Sequence, residues 1–184
     1  QVTFDVSDPA FLAGVAAQAV AGDSGIVILT EADPPARQPF VSAFTAGVRH
    51  AGGADPELRV TPRADVTTAA TTAYAAGTRV VVPGATGYIV GILESARLGS
   101  ERFTIGLDSD QTLTGPNSVV ASVLRRFDLE VQAAVLQIGT DNFQPGQFVR
   151  SIDDQGTDIY VNPRFGEASA AVEAARDAAA AWTP

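Results

Sequence analysis

Apolar runs of strand length alternate along the chain with alanine-rich stretches of helical period. The strand candidates are VTFDV (2–6), IVILT (26–30), LRVTP (58–62), RVVVP (79–83), RFTIGLD (102–108), SVVASVL (118–124), QFVRSI (147–152) and TDIYV (157–161). The helix candidates are PAFLAGVAAQAVA (9–21), PFVSAFTAGVRHA (39–51), VTTAATTAYAAG (66–77), TGYIVGILESARLG (86–99), FDLEVQAAVLQI (127–138) and GEASAAVEAARDAAAAW (166–182). This alternation is typical of βα units, and it predicts a single α/β domain over residues 1–184 with a mostly parallel sheet and helices on both faces.

Residue spacing identifies the faces that we expect to be buried. Phe40, Phe44 and Val48 recur every four residues and therefore share one helix face. The run IVILT is apolar throughout, as a strand covered on both faces must be. The inward residues of the helix candidate at 86–99 are Ile89, Ile92, Leu93 and Ala96.

The ends of the first helix have local signals. Ser7 or Asp8 is expected to cap it, with Pro9 at the first helical position, where the missing N–H costs nothing. The stretch GDSG (22–25) ends it, and EADPPARQ (31–38) forms the loop before the second helix.

Charge excludes several classes of partner. Twelve basic residues, all of them arginine, face 21 acidic residues and give a net charge of −9. Such a chain repels nucleic acid and anionic membrane surfaces, so no nucleic acid partner is expected. Without cysteine and with one histidine, the chain cannot form a disulfide, a thiol nucleophile or the usual zinc shell. No signal sequence precedes Gln1, so either a leader has been removed or the chain starts inside a longer protein.

Two loops follow apolar runs, where a parallel sheet binds its ligands. In the first, PGATG, Gly84 and Gly87 let the backbone approach a ligand, and Thr86 offers a hydroxyl or a helix N-cap. The same loop is also compatible with a plain strand-to-helix turn. It lacks the lysine of a phosphate loop, so it does not predict a nucleotide phosphate site.

The second loop, GLDSDQ, carries Asp108 and Asp110 directly after the fifth run. An ionised aspartate only accepts hydrogen bonds and suits the neighbouring hydroxyls of a sugar. Capping of a turn or helix is an equally open interpretation. A calcium loop is disfavoured because its glycine and terminal glutamate are missing, and catalysis is disfavoured because no nucleophile is nearby.

Arginines follow the sixth run. Arg125 either orients Asp108 or contacts a polar ligand, and the alternative is a surface ion pair worth at most about 1 kcal/mol. His50 is interpreted as an exposed residue at a helix C-terminus, and Tyr74 and Trp182 as packing residues.

Five segments carry a family resemblance over residues 3–138. The segments FLAGVAAQAV, PFVSAFTAGVRHA, GATGYIVGILESARLG, IGLDSDQ and SVVASVLRRFDLEVQAAV resemble, in order and spacing, the basic membrane protein family. These are substrate-binding lipoproteins of bacterial ABC importers, purine nucleoside receptors among them. The resemblance implies the type I periplasmic-binding fold, in which two α/β lobes joined by crossover strands close over a ligand by hinge motion.

The resemblance also implies roles for individual residues. Asp108 matches the family aspartate that binds ribose hydroxyls, and Arg125 stands where the family usually has lysine. Gly84, Thr86 and Gly87 match its glycine-rich cleft loop, and Asp110 remains a ligand-binding candidate. The change from lysine to arginine alters reach and geometry and leaves the ligand open. No residue matches the aromatic clamp of the family, and no catalytic group, metal or cofactor is expected.

The N-terminal part of the family pattern has no counterpart in this chain. We therefore expect mainly the second lobe, about residues 7–126, followed by a crossover helix and tail over 127–184, from a fragment or a reduced relative. Half a cleft would bury too little of a nucleoside for tight binding. The surface left by the missing lobe is expected to form a homodimer, and the whole protein to be an extracytoplasmic lipoprotein serving an ABC importer permease. An interaction or scaffold module without ligand is the alternative.

Overall fold

The computed structural model describes residues 1–31, 38–140 and 145–183. The loop expected at 31–38 therefore lies almost entirely outside the described residues. The strands are β1 (Val2–Phe4), β2 (Ile26–Thr30), β3 (Glu57–Val60), β4 (Val80–Pro83), β5 (Thr104–Asp108), β6 (Val119–Arg125), β7 (Phe148–Arg150) and β8 (Thr157–Val161). The helices are α1 (Ser7–Ala21), α2 (Gln38–His50), α3 (Val66–Ala75), α4 (Ile89–Ala96), α5 (Phe127–Gly139) and α6 (Gly166–Ala181).

Parallel pairing dominates the main sheet. One ladder has the order β3-β2-β4 and the other β5-β6-β8, with β8 antiparallel to β6. A parallel bridge between Val80 and Phe103 joins the two ladders, supported by a 3.0 Å hydrogen bond from the Val81 N–H to the Phe103 carbonyl. The strand order is therefore β3-β2-β4-β5-β6-β8, and the carboxyl ends of β2 to β6 meet at one edge.

Helices cover both faces of this sheet, as the apolar pattern predicts. In β2, which is buried throughout, Ile26 and Ile28 pack with α1, α2 and α6. Val27 and Leu29 point the other way and pack with α3 and α4. This alternation is the reason that the first four residues of the run IVILT are all apolar, whereas the last, Thr30, is a buried polar residue.

Most predicted helix faces are confirmed. Phe40, Phe44 and Val48 are buried in one core cluster. The four residues of α4 that were predicted to face inward, Ile89, Ile92, Leu93 and Ala96, are all buried.

The predicted start of the first helix is wrong by two residues. α1 begins at Ser7, the cap position is Val6, and no side chain of the cap residue forms a hydrogen bond. Instead the Asp5 carboxylate accepts a 2.9 Å hydrogen bond from the Ser7 N–H. Pro9 is therefore the third helical residue, where it still precedes the first position that needs an intrahelical donor.

The crossover region is separate from the main sheet. Among the described strands, β1 pairs with β7 alone, in parallel, and the helix α5, which follows β6, has no buried residue. Phe127 contacts Phe4 edge to face with ring centroids 4.6 Å apart. Four other large apolar side chains of α5, Val131, Val135, Leu136 and Ile138, are exposed, and Leu129 is half-buried. No helix in the described ranges combines the length and the hydropathy that crossing a bilayer requires.

Candidate functional site

Three adjacent parallel strands bring the predicted site residues to one edge of the sheet. β4 ends immediately before Gly84, β5 ends at Asp108 and β6 ends at Arg125. Because β4, β5 and β6 are neighbours in the sheet, their following loops emerge side by side. This edge is where open α/β sheets bind their ligands.

Asp108 and Arg125 contact each other across this edge. The Arg125 Nε lies 3.3 Å from the Asp108 Oδ1, with side-chain exposures of 39% and 21%. Asp108 has a φ of 70°, in the left-handed region that few residues other than glycine adopt. Backbone strain of this kind clusters at functional sites. The arginine thus lies where it can orient that carboxylate.

The Gly84 loop makes close contacts that exclude larger residues. The Gly84 N–H donates a 2.7 Å hydrogen bond to the Leu29 carbonyl, and a Cβ at Gly84 would lie 2.8 Å from the same oxygen. A Cβ at Gly87 would lie 2.6 Å from the guanidinium carbon of Arg63. Thr86 begins a short 3-10 helix (Thr86–Tyr88) whose cap position is Ala85, so the expectation that Thr86 is the N-cap is wrong.

The Asp110 side chain forms hydrogen bonds within its own loop. Its Oδ1 accepts hydrogen bonds from the Thr112 N–H at 2.9 Å and the Thr112 hydroxyl at 2.8 Å. This is the turn-capping alternative that the sequence left open. The next residue, Gln111, ties the loop to the sheet through the Ser122 hydroxyl and the Leu107 carbonyl. Asp110 stays a predicted ligand contact, with one carboxylate oxygen already engaged.

Arg126, which follows Arg125 in the sequence, pairs with a different aspartate. Arg126 donates two hydrogen bonds to Asp128, at 3.0 and 2.8 Å, and these bonds lower the pKa of the Asp128 carboxyl. Arg126 is half-buried and Asp128 is exposed, so this is an ion pair at the surface.

The remaining singled-out residues are structural. His50 is the exposed last residue of α2, with its ring 5.4 Å from that of Phe11. Tyr74 is buried and donates a 2.8 Å hydrogen bond to the Phe103 carbonyl, and burial raises the pKa of its phenol. Trp182 packs against the core cluster of α1, α2 and α6.

One arginine at this edge was missed by sequence reasoning. Arg63 follows β3 in a 3-10 helix (Arg63–Asp65) and reaches Gly87 across the sheet edge. No motif marks it, because its contact depends on the strand order. In the described part of the chain, no group of three or more histidine, cysteine, aspartate or glutamate side chains could hold a metal ion.

A cavity of about 380 Å³ lies elsewhere, in the crossover region. None of its lining residues belongs to the sheet-edge loops. A 2.6 Å ion pair between Arg150 and Glu130 forms part of its wall. Its lining residues are Gln1, Val2, Glu130, Ala133, Ala134, Gln137, Pro145, Gly146, Phe148 and Arg150.

Solved structures share this fold. An ABC transporter solute-binding protein from Aeropyrum pernix K1 is 19% identical, with a TM-score of 0.70 over 100% of this chain and 60% of its own. One from Conexibacter woesei is 18% identical, with a TM-score of 0.65 over 100% and 64%. A transcriptional activator of the comK gene from Bacillus halodurans is 19% identical, with a TM-score of 0.74 over 95% and 64%. These likenesses establish the type I periplasmic-binding-protein fold.

The chain spans 60–64% of the length of these three structures. A search of curated proteins finds no match. The Bmp family, described as ABC transporter substrate-binding protein PnrA-like, matches residues 1–163 and so most of the sequence. The chain therefore belongs to the Bmp family of PnrA-like ABC transporter substrate-binding proteins.

Proposed function

We propose that this chain is part of the solute-binding component of an ABC importer and contributes one wall of a cleft for a nucleoside or a similar small polar ligand. The observation that carries the proposal is the 3.3 Å contact between Asp108 and Arg125, beside the Gly84 loop at the carboxyl edge of the sheet. Family membership supports the binding role.

Asp108 supplies the chemistry for hydroxyl recognition. Its two carboxylate oxygens can accept hydrogen bonds from two adjacent ribose hydroxyls, and charge-assisted bonds of this type are about twice as strong as neutral ones. Arg125 contacts one of these oxygens through its Nε, and this contact can orient the carboxylate. We assign ribose contact to Asp108 and a second, shared contact to Arg125.

The Gly84 loop supplies the floor of the proposed cleft. The absence of side chains at Gly84 and Gly87 lets the Leu29 carbonyl and the Arg63 guanidinium pack directly on the loop, and we assign ligand contacts to the remaining backbone surface of these two residues. Thr86 is retained as a ligand contact in the proposal, and Asp110 as a contact through the oxygen that does not accept from Thr112.

The partners in the proposal are a small nucleoside-like ligand and the permease of the importer. The whole protein would lie outside the cytoplasm as a cell-surface lipoprotein, as solute-binding components of importers do. Binding without turnover fits the site, since Asp108 contacts an arginine and the described loops beside it contain no histidine that could serve as a general base.

A titration tests the ligand assignment. We expect adenosine, added at millimolar concentration, to shift the ¹⁵N NMR signals of residues 84–87 and 108–111. Asp108→Asn removes the charge with little change in shape and should abolish these shifts. Asp128→Asn, which removes an exposed aspartate paired with the neighbouring arginine, is the matched control and should leave them intact. Equal shifts in the Asp108 variant and the parent chain would contradict the proposal.

A second candidate is an interaction module that keeps the lobe and binds no ligand. The exposed apolar stripe of α5 favours it, because patches of this type mark protein contacts. Such a module would show no ligand-dependent shifts and would still associate through α5. Homodimer formation through the same stripe is compatible with both candidates.

A further inference from the structure

The guanidinium of Arg63 packs face-on against the cleft loop. A Cβ at Gly87 would lie 2.6 Å from the Cζ, 2.6 Å from the Nη2 and 3.0 Å from the Nε of Arg63. A point beside the edge of a guanidinium is closer to its nitrogens than to its carbon. These distances therefore place the Gly87 position above the plane, so one face of Arg63 covers the loop and its in-plane N–H groups stay accessible.

The backbone that carries Arg63 is anchored on both sides. The Thr61 N–H donates a 2.7 Å hydrogen bond to the Thr30 carbonyl at the end of β2. The hydroxyl of Tyr88, a buried residue directly after Gly87, donates a hydrogen bond to the Thr61 carbonyl. Although Arg63 is exposed, these two bonds hold its segment next to the loop.

Among the described residues, Arg63 has no acidic partner, unlike the other arginines at this edge. Arg125 contacts Asp108 and Arg126 contacts Asp128. Within residues 1–31, 38–140 and 145–183, no carboxylate lies within 4.0 Å of the Arg63 guanidinium, and its side chain donates no hydrogen bond to a described atom. A guanidinium with a supported face and unused donors in a fixed fork is suited to bidentate contact with a phosphate or carboxylate.

We propose that Arg63 binds an anionic group of the ligand, a phosphate or a carboxylate, beside Gly87. The inference rests on the proposed function, because Asp108 would hold the hydroxyls of the same ligand. Because β4 and β5 are neighbouring strands about 5 Å apart, the loops that carry Gly87 and Asp108 emerge side by side at the carboxyl edge of the sheet. A sugar carrying a 5′-phosphate bridges a gap of this order, so the ligand class becomes an anionic nucleoside derivative.

Four probes test the inference by NMR titration at low salt: adenosine, adenosine 5′-monophosphate, adenosine 5′-carboxylate and inorganic phosphate. We expect at least one of the two charged nucleosides to bind the parent chain about tenfold more tightly than adenosine. Whether the phosphate or the carboxylate gains more identifies the group. Arg63→Gln should remove this advantage and leave adenosine binding unchanged, whereas Arg63→Lys should keep part of it because the charge remains.

Two further variants control the experiment. Gly87→Ala should also remove the advantage, because its new methyl displaces the guanidinium while the arginine itself is intact. Arg126→Gln removes a half-buried arginine that follows β6 and pairs with Asp128, and it should have no effect. Retention of the advantage in Arg63→Gln, or equal binding of adenosine and both charged nucleosides to the parent chain, would overturn the inference and leave the proposed function standing. Loss of adenosine binding in Arg63→Lys would also overturn it, since that result indicates stacking rather than charge. Failure of every probe to bind would overturn both proposals.

Discussion

At the scale of single residues, the two aspartates of the GLDSDQ loop have separate surroundings. Asp108 lies beside Arg125, whereas the Asp110 Oδ1 accepts two hydrogen bonds from Thr112. Removing both acceptor bonds leaves the Thr112 donors without their partner. We expect Asp110→Ala to lower the free energy of unfolding by about 1–2 kcal/mol, measured by urea denaturation. Asp110→Asn keeps an acceptor oxygen and should cost less.

These residue-scale differences were only partly readable in the sequence. The contact of Arg125 with Asp108 was expected, because both residues end adjacent apolar runs. The capping role of Asp110 was one of several open interpretations, since an Asx turn and a ligand contact require the same residue type. Arg63 could not be found, because its position on Gly87 depends on β3 lying at the sheet edge next to β2.

At the scale of elements, the strands were predictable and the start of α1 was not. Buried parallel strands need apolar residues at every position, which distinguishes β2 and β4 from their surroundings. Asp5 before the first helix, and Ser7 and Asp8 in its first turn, are all residue types that can cap a helix, so the sequence alone did not single out one of them. In the structure the Asp5 carboxylate accepts the hydrogen bond from the Ser7 N–H.

The acidic start of α1 predicts a pH dependence. Burial, and then the charges of Asp5 and Asp153, raise the pKa of Asp8. A carboxyl whose pKa is higher in the folded state binds protons more readily there, so its contribution to stability is present below its unfolded pKa and is lost as the pH rises through the folded value. Asp8→Asn removes this loss. We expect the variant to gain stability relative to the parent chain between pH 3 and pH 7, with the difference growing as the pH rises.

Urea midpoints across that pH range measure the effect of Asp8. The matched control is Asp23→Asn, which changes an exposed aspartate just beyond the other end of α1. A difference between the Asp8 variant and the parent chain that stays constant with pH would contradict the electrostatic explanation and indicate a packing effect instead.

At the scale of the whole molecule, the exposed apolar side chains of α5 are the feature that predicts association between chains. Phe127, Val131, Val135 and Ile138 recur at spacings of four, four and three and form one stripe, which the proposed homodimer would cover. A stable dimer needs roughly 1,000 Å² or more of buried surface, and a charge at the centre of the stripe would oppose it.

We expect sedimentation to show concentration-dependent association that Val135→Glu weakens. Val90 is 62% exposed and Val135 63%, so Val90→Glu adds the same charge at a matched position outside the stripe and should leave association unchanged. Two results would contradict the dimer: a parent chain that stays monomeric at high concentration, or an equal loss of association in both variants. Association driven by the apolar stripe must weaken when a charge is placed on the stripe and must not weaken when the charge is placed elsewhere.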